Sequence, residues 1–204
     1  MNNIVFYVTL FAQGLVLAML DVEFVPAMII ILLVVGVLSY FRMFYPLYGT
    51  KDIEKTEKFL LMNKKNPFFH FVYAVANDQK DEVEHSFEKV MAKYKAPARQ
   101  ALHTIIYALY KKDAEQAREQ LPHIQPAKYQ SYYEALVLVE EGKMDEAQAV
   151  ADNQLTGWMK ETVRAEILLK AGDKDEAKGI LEQAMLETKG LQCYLMYKNL
   201  HQHD

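Results

Sequence analysis

EEGKMDEAQA (Glu140–Ala149) and LKAGDKDEAKG (Leu169–Gly179) carry the same punctuation, Gly-x-x-Asp-Glu-Ala, with Gly142 and Gly172 thirty positions apart. Working outward, the position of the final Ala recurs as Val83, Ala117, Ala147 and Ala177, at intervals of 34, 30 and 30 residues. Before each anchor stands an apolar run: PFFHFVYAVA, RQALHTIIYALY, YQSYYEALVLVE and KETVRAEILLK. Each run is followed by a place for a helix-ending residue. Gly142 and Gly172 suit a left-handed cap, and Asn77-Asp78 serves the first copy. In the second copy the place falls to Lys112, which does not favour such a cap. A second helix then begins. Asp113 with Gln116, and Asp173 with Glu176, have the spacing of a capping box. Val83, Phe87, Val90, Met91 and Tyr94 in one copy, and Ala177, Ile180, Leu181, Ala184 and Met185 in another, form the apolar stripe of a 3.6-residue helix. Repetition at this interval predicts stacked helix pairs and an all-α fold.

These residues resemble the tetratricopeptide repeat family. That family sets a small residue of the first helix twelve positions before a small residue of the second, as Ala135 precedes Ala147 and Ala165 precedes Ala177. Ile105 with Ala117 and Phe71 with Val83 depart from the pattern, and the family's Trp-Leu-Gly-Tyr signature is absent. Pro122 and Pro126 are expected to cut short the second helix of the second copy. The resemblance spans roughly residues 64–187. It implies a solenoid whose first helices line a concave face, and a role in holding a protein or peptide partner. Carried over, that face includes Phe68, Val72, Ile106 and Leu136, with Arg99, His103, Tyr110, Tyr129, Tyr132 and Tyr133 as the candidate partner-binding residues. The tyrosines of KYQSYYE (Lys128–Glu134) have two readings: contact area for a partner, or packing between repeats. Lys51–Lys65 reads as an opening helix, and Gly190 onward as a terminal cap helix with one polar face.

The amino-terminal segment, residues 1–45, reads differently. Residues 4–20 and 24–41 contain no charge and are separated by Asp21, Val22 and Glu23. Each is about the length of a bilayer core, so the segment is expected to be a transmembrane helical hairpin ahead of a repeat domain at 46–204. Basic residues follow the second span (Arg42, Lys51, Lys55, Lys58, Lys64 and Lys65), and the connecting turn has none. The positive-inside rule then puts both termini in the cytoplasm of a multi-pass cell-membrane protein. Phe41, Phe44, Tyr45 and Tyr48 fall at the inner boundary, where amphipathic rings prefer to lie.

Charge and motifs narrow the function. The net charge of −4 divides into −2 over residues 1–41, +4 over 42–128 and −6 over 129–204, without a dominant basic face for nucleic acid. Cys193 is the single cysteine. There is no phosphate-binding glycine loop, no zinc motif and no nucleophile elbow. No enzymatic activity, metal or cofactor is therefore expected. His70 and His103 lie within first helices, and His201 and His203 lie at the carboxyl end. Two functions remain. One is a membrane-anchored adaptor that binds a protein through the repeat domain. The other is a structural or assembly subunit of a membrane complex, with the hairpin as the main contact.

Overall fold

The computed structural model describes residues 3–202, with side chains from Tyr7 to His201. Met1, Asn2, His203 and Asp204 lie outside the described residues. Among the described residues the chain is helical without strands. The α-helices are α1 (Asn3–Met19), α2 (Phe24–Ser39), α3 (Ile53–Met62), α4 (Pro67–Ala76), α5 (Lys80–Lys93), α6 (Pro97–Tyr110), α7 (Ala114–Gln120), α8 (Ala127–Glu140), α9 (Met144–Gln154), α10 (Trp158–Ala171), α11 (Lys174–Glu187) and α12 (Gly190–Gln202). A wider-wound π segment, Tyr40–Gly49, continues α2. A 3₁₀ turn, Leu121–His123, follows α7.

The helix pairs α4/α5, α6/α7, α8/α9 and α10/α11 are built around one repeated turn. Asp78, Lys112, Gly142 and Gly172 all have positive φ (47°, 59°, 79° and 93°). At each, the next backbone N–H reaches back five residues: Gln79 to Ala74, Asp113 to Ala108, Lys143 to Leu138 and Asp173 to Leu168, at 2.9–3.0 Å. This is the Schellman closure, which satisfies carbonyls left open by the end of the first helix. Lys112 adopts the geometry although its side chain disfavours it. Packing on either side of the turn outweighs a cost of roughly 1–2 kcal/mol. Asp113 caps α7 by accepting from the Gln116 N–H at 3.0 Å. Asp173 sits at the N-cap of α11 but its side chain accepts no capping bond, contrary to the spacing argument.

Between paired helices the anchor positions are shielded from solvent. Phe71 and Val83, Ile105 and Ala117, Ala135 and Ala147, and Ala165 and Ala177 are all buried. A small residue on the second helix lets two helix axes approach closely. Pro122 ends the α7 stretch as expected: α7 has 7 residues, against 14 for α6.

The amino-terminal segment departs from the expected pair of spans. Among the described residues a single helix is long and apolar enough to cross a membrane, the continuous run Phe24–Gly49 of 26 residues. α1 is apolar and packs against α2, but at 17 residues it is shorter than such a span, and the chain turns at Asp21 (φ 48°). The second helix also outruns its expected end at Phe41. Pro46 would break an α-helix, by losing an N–H and clashing one turn back. Here the backbone widens to π winding around it, a local way to accommodate the ring.

The carboxyl end is the second departure. α12 does not cap an open array with one polar face. It packs against α11 and also against α3, α4 and the Tyr40–Gly49 segment, so the two ends of the helix array meet. Tyr194 is completely buried there with Leu60 and Ala76, while Met196 and Leu200 of the same helix join Ala165 and Leu181.

Candidate functional site

Arg99, His103, Ile106 and Tyr110 lie one turn apart along α6, so they form one stripe. The stripe faces the preceding helix pair, with His103 buried, Ile106 and Tyr110 partly covered and Arg99 exposed. Arg99 is exposed, its guanidinium 5.4 Å from the centre of the Tyr94 ring. His103 is 4% exposed, enclosed by Phe68, Phe71 and Tyr94 with ring centres 5.7–6.1 Å away. Its Nδ1 has no hydrogen-bond partner. Burial, and then the Arg99 charge, holds the imidazole well below its usual range, at about 4. It is therefore a neutral core ring at pH 7 and is not on an open face. Ile106 packs into the clusters on both sides of α6.

Tyr110 closes the other end. Its hydroxyl donates to Asp78 Oδ1 at 2.6 Å, across the first repeated turn. Burial and this bond push its hydroxyl up to about 12. Asp78, Lys80, Glu84, Tyr107, Tyr110 and Lys111 line a cleft of about 470 Å³ between the first two helix pairs. Lys111 lies 3.9 Å from Glu84, and Tyr107 stacks on Phe87 with ring centres 4.1 Å apart. The cleft carries both signs of charge around an aromatic wall.

The three tyrosines of α8 pack between helix pairs, each half-buried. Tyr129 touches the cluster around Ile105 and also that around Ala135. Tyr133 lies on the first of these and Tyr132 on the second, where its ring meets Trp158 edge-on at 5.4 Å. Burial raises the hydroxyl pKa of both Tyr132 and Tyr133. The six candidate residues are thus not gathered into one surface. Arg99 and Tyr110 border open surface at opposite ends of α6, His103 is core, and the tyrosines bridge neighbouring helix pairs. Among the other histidines, His70 is bonded through Nε2 to Glu82 at 2.6 Å, and His201 through Nδ1 to the Tyr197 carbonyl at 2.8 Å. His203 lies outside the described residues.

Sequence reading missed two features. The first is the cleft, whose Asp78 lies on a turn and whose Tyr110 lies on the next helix pair. The second is the seam where the array ends meet. There Asn77 Nδ2 donates to the Tyr194 hydroxyl at 2.7 Å, that hydroxyl approaches Glu57 at 3.3 Å, and Lys198 pairs with Glu57 at 2.9 Å. The only hint in the sequence was that LQCYLMYKNL is apolar on more than one side. No family model, curated protein or solved structure matches the chain.

Proposed function

We propose that this protein is a membrane-anchored, tetratricopeptide-like adaptor that binds a protein segment at the edge between its first two helix pairs. The observation that carries this reading is the cleft at Tyr110 and Asp78, an aromatic wall set among Lys80, Lys111 and Glu84. Mixed charge around a tyrosine suits an extended polar segment better than a buried small molecule. The repeated Schellman turns support the kinship of the helix pairs, since four equivalent turns at intervals of 34, 30 and 30 residues are what a repeat requires. In this reading α1 shares the bilayer with α2 as a hairpin, and both termini face the cytoplasm. Phe11, Met19, Leu32 and Leu33 are more than half exposed on these helices, a surface that lipid covers at no cost and water does not. At about 26 Å, α1 reaches across only with interface residues or local thinning of the bilayer.

The test is capture of partners by full-length protein in detergent, identified by mass spectrometry, against a Tyr110→Glu variant. Loss of a specific partner with an unchanged melting transition supports the cleft, and retained capture removes it. A second reading, a subunit held in a complex mainly by its hairpin, is favoured by one observation. Gln13 on apolar α1 has neither its amide nitrogen nor its oxygen paired. Amides in apolar helices bond across to neighbouring helices. A Gln13→Leu variant that loses the partner while Tyr110→Glu keeps it selects that reading.

A further inference from the structure

We infer that the α11–α12 turn forms a second contact with the lipid surface, with Leu186 as its apolar tip. The inference rests on the reading of Phe24–Gly49 as a membrane span.

Length sets the geometry. Twenty-six residues at the α-helical 1.5 Å would reach about 39 Å, and the π winding of Tyr40–Gly49 shortens this by a few Å, whereas a bilayer with its headgroups is about 40–45 Å thick and its hydrocarbon core about 30 Å. A helix entering the core at Phe24 therefore reaches the outer edge of the cytoplasmic headgroups near Gly49. The chain does not swing free there. Pro46 and Leu47 are buried, and the Pro46 carbonyl accepts from Thr56 Oγ1 at 2.9 Å. The Gly190 N–H donates to the Thr50 carbonyl. Gly190 has positive φ, and a Cβ on it would collide with the Leu47 backbone, so α12 starts in direct contact with the end of the membrane helix.

This closure carries the α11–α12 turn to the helix exit. Lys51 Nζ donates to the Leu186 carbonyl across 135 positions, and the Leu186 side chain is left 61% exposed. Tyr48, on the last turn of the membrane helix, is 69% exposed. Tyr40, Phe44 and Tyr48 stack in sequence with ring centres 6.3 Å apart. An exposed aromatic row thus runs along the span to Tyr48, three positions before the Lys51 that holds the Leu186 carbonyl. Lys51, Lys55 and Lys189 stand at the same exit with Asp52, Glu54 and Glu187, so local charge nearly cancels. The contact is apolar and interfacial, and it is insensitive to salt and to the charge of the lipid. It fixes the helix array against the bilayer at two points, the helix exit and the α11–α12 turn.

The experiment places nitroxide labels singly at Leu33→Cys, Tyr48→Cys, Leu186→Cys and His85→Cys in a full-length Cys193→Ala chain, in neutral phosphatidylcholine vesicles. Each of these positions is exposed, so labelling leaves the packing intact. Collision with oxygen and with an aqueous nickel complex gives depth. The expected result is a core depth for position 33, an interfacial depth for 48 and 186, and full nickel access for 85. The nickel collision rate at 186 should be several-fold below that at 85, at low and high salt alike. Nickel access at 186 equal to that at 85, with 33 deep in the core, overturns the inference and leaves the span standing. Nickel access at 33 overturns both.

Discussion

The side-chain amide of Asn77 donates to the hydroxyl of Tyr194 at 2.7 Å, although 117 positions separate them. Asn77 ends α4, the first helix of the first pair, and Tyr194 belongs to α12. The bond therefore joins the two ends of the array. Glu57 and Lys198 lie on the same seam, and the Tyr194 ring is buried against Leu60 and Ala76. Such a seam makes the array one cooperative body, because no terminal pair is left to fray alone.

Cutting the seam is expected to be costly. Tyr194→Phe leaves Asn77 and Glu57 without their shared partner and should cost about 1–2 kcal/mol. Tyr194→Ala adds a cavity and should cost about 3–5 kcal/mol. At about 2–4 °C per kcal/mol for a chain of this size, the two variants separate in a thermal melt followed by circular dichroism. A melting point for Tyr194→Ala within a degree of wild type means that the ends do not depend on each other.

Two glycines with similar backbones should respond differently. Gly142 and Gly190 both have positive φ, but space beyond Gly142 is open while Gly190 abuts the Leu47 backbone. Gly142→Ala pays only the left-handed penalty, about 1 kcal/mol. Gly190→Ala must also move the backbone at Leu47 and Tyr48, and its loss should exceed that of Gly142→Ala severalfold. Equal melting points would show that the contact at Gly190 is not tight.

The α8 tyrosines allow a sharper test of site against core. Tyr132 packs edge-on to Trp158 and joins the Ala135 cluster, so Tyr132→Ala should cost roughly 3 kcal/mol, at the low end for an aromatic because the ring is only half-buried. Tyr132→Phe should be close to neutral. If Tyr132→Ala melts like wild type and loses a bound partner, the ring belongs to a binding face.

His103 gives a pH signature. Its ring titrates at about 6.5 in the unfolded chain and about 4 in the fold, lowered by burial and then by Arg99. A neutral buried form is favoured, so its contribution is complete above pH 6.5 and is lost as pH falls through about 4. The facing groups are the Phe68, Phe71 and Tyr94 rings and the Arg99 charge. Over that window the fold should lose on the order of 2–3 kcal/mol through this residue. His103→Leu removes the unpaired Nδ1 and should leave stability at pH 7 nearly unchanged while flattening the acid limb. Denaturant melts at pH 7, 5.5 and 4 measure it, and parallel pH profiles for the two proteins would refute the assignment.

Much of the fold is written locally. The intervals between Val83, Ala117, Ala147 and Ala177 are visible because a helix pair repeats its 3.6-residue stripe and its turn within about thirty residues. Even Lys112 was located by spacing alone, although its side chain gave no sign that it would adopt the geometry of Gly142 and Gly172. The limits appear where a residue has more than one side. The α6 stripe was legible as Arg99, His103, Ile106 and Tyr110, yet whether it faced solvent or the preceding repeat depended on how α6 rotates against its neighbours. The pattern of one helix does not encode that rotation. The tyrosines of KYQSYYE fit a groove and a repeat junction equally well in sequence, because the same amphipathic ring serves both.

The sequence by itself determined the helices, their pairing, the apolar character of the first forty residues and the places of the turns. Each of these follows from periodicity, charge content and backbone preference within a short window. The tertiary structure alone decided that α12 returns to α3 and α4, that Leu186 arrives at the end of the Phe24–Gly49 helix, and that Asp78 and Tyr110 share a cleft. These contacts join residues from 32 to more than 135 positions apart. They depend on how side chains pack at successive interfaces, which no short window of sequence specifies.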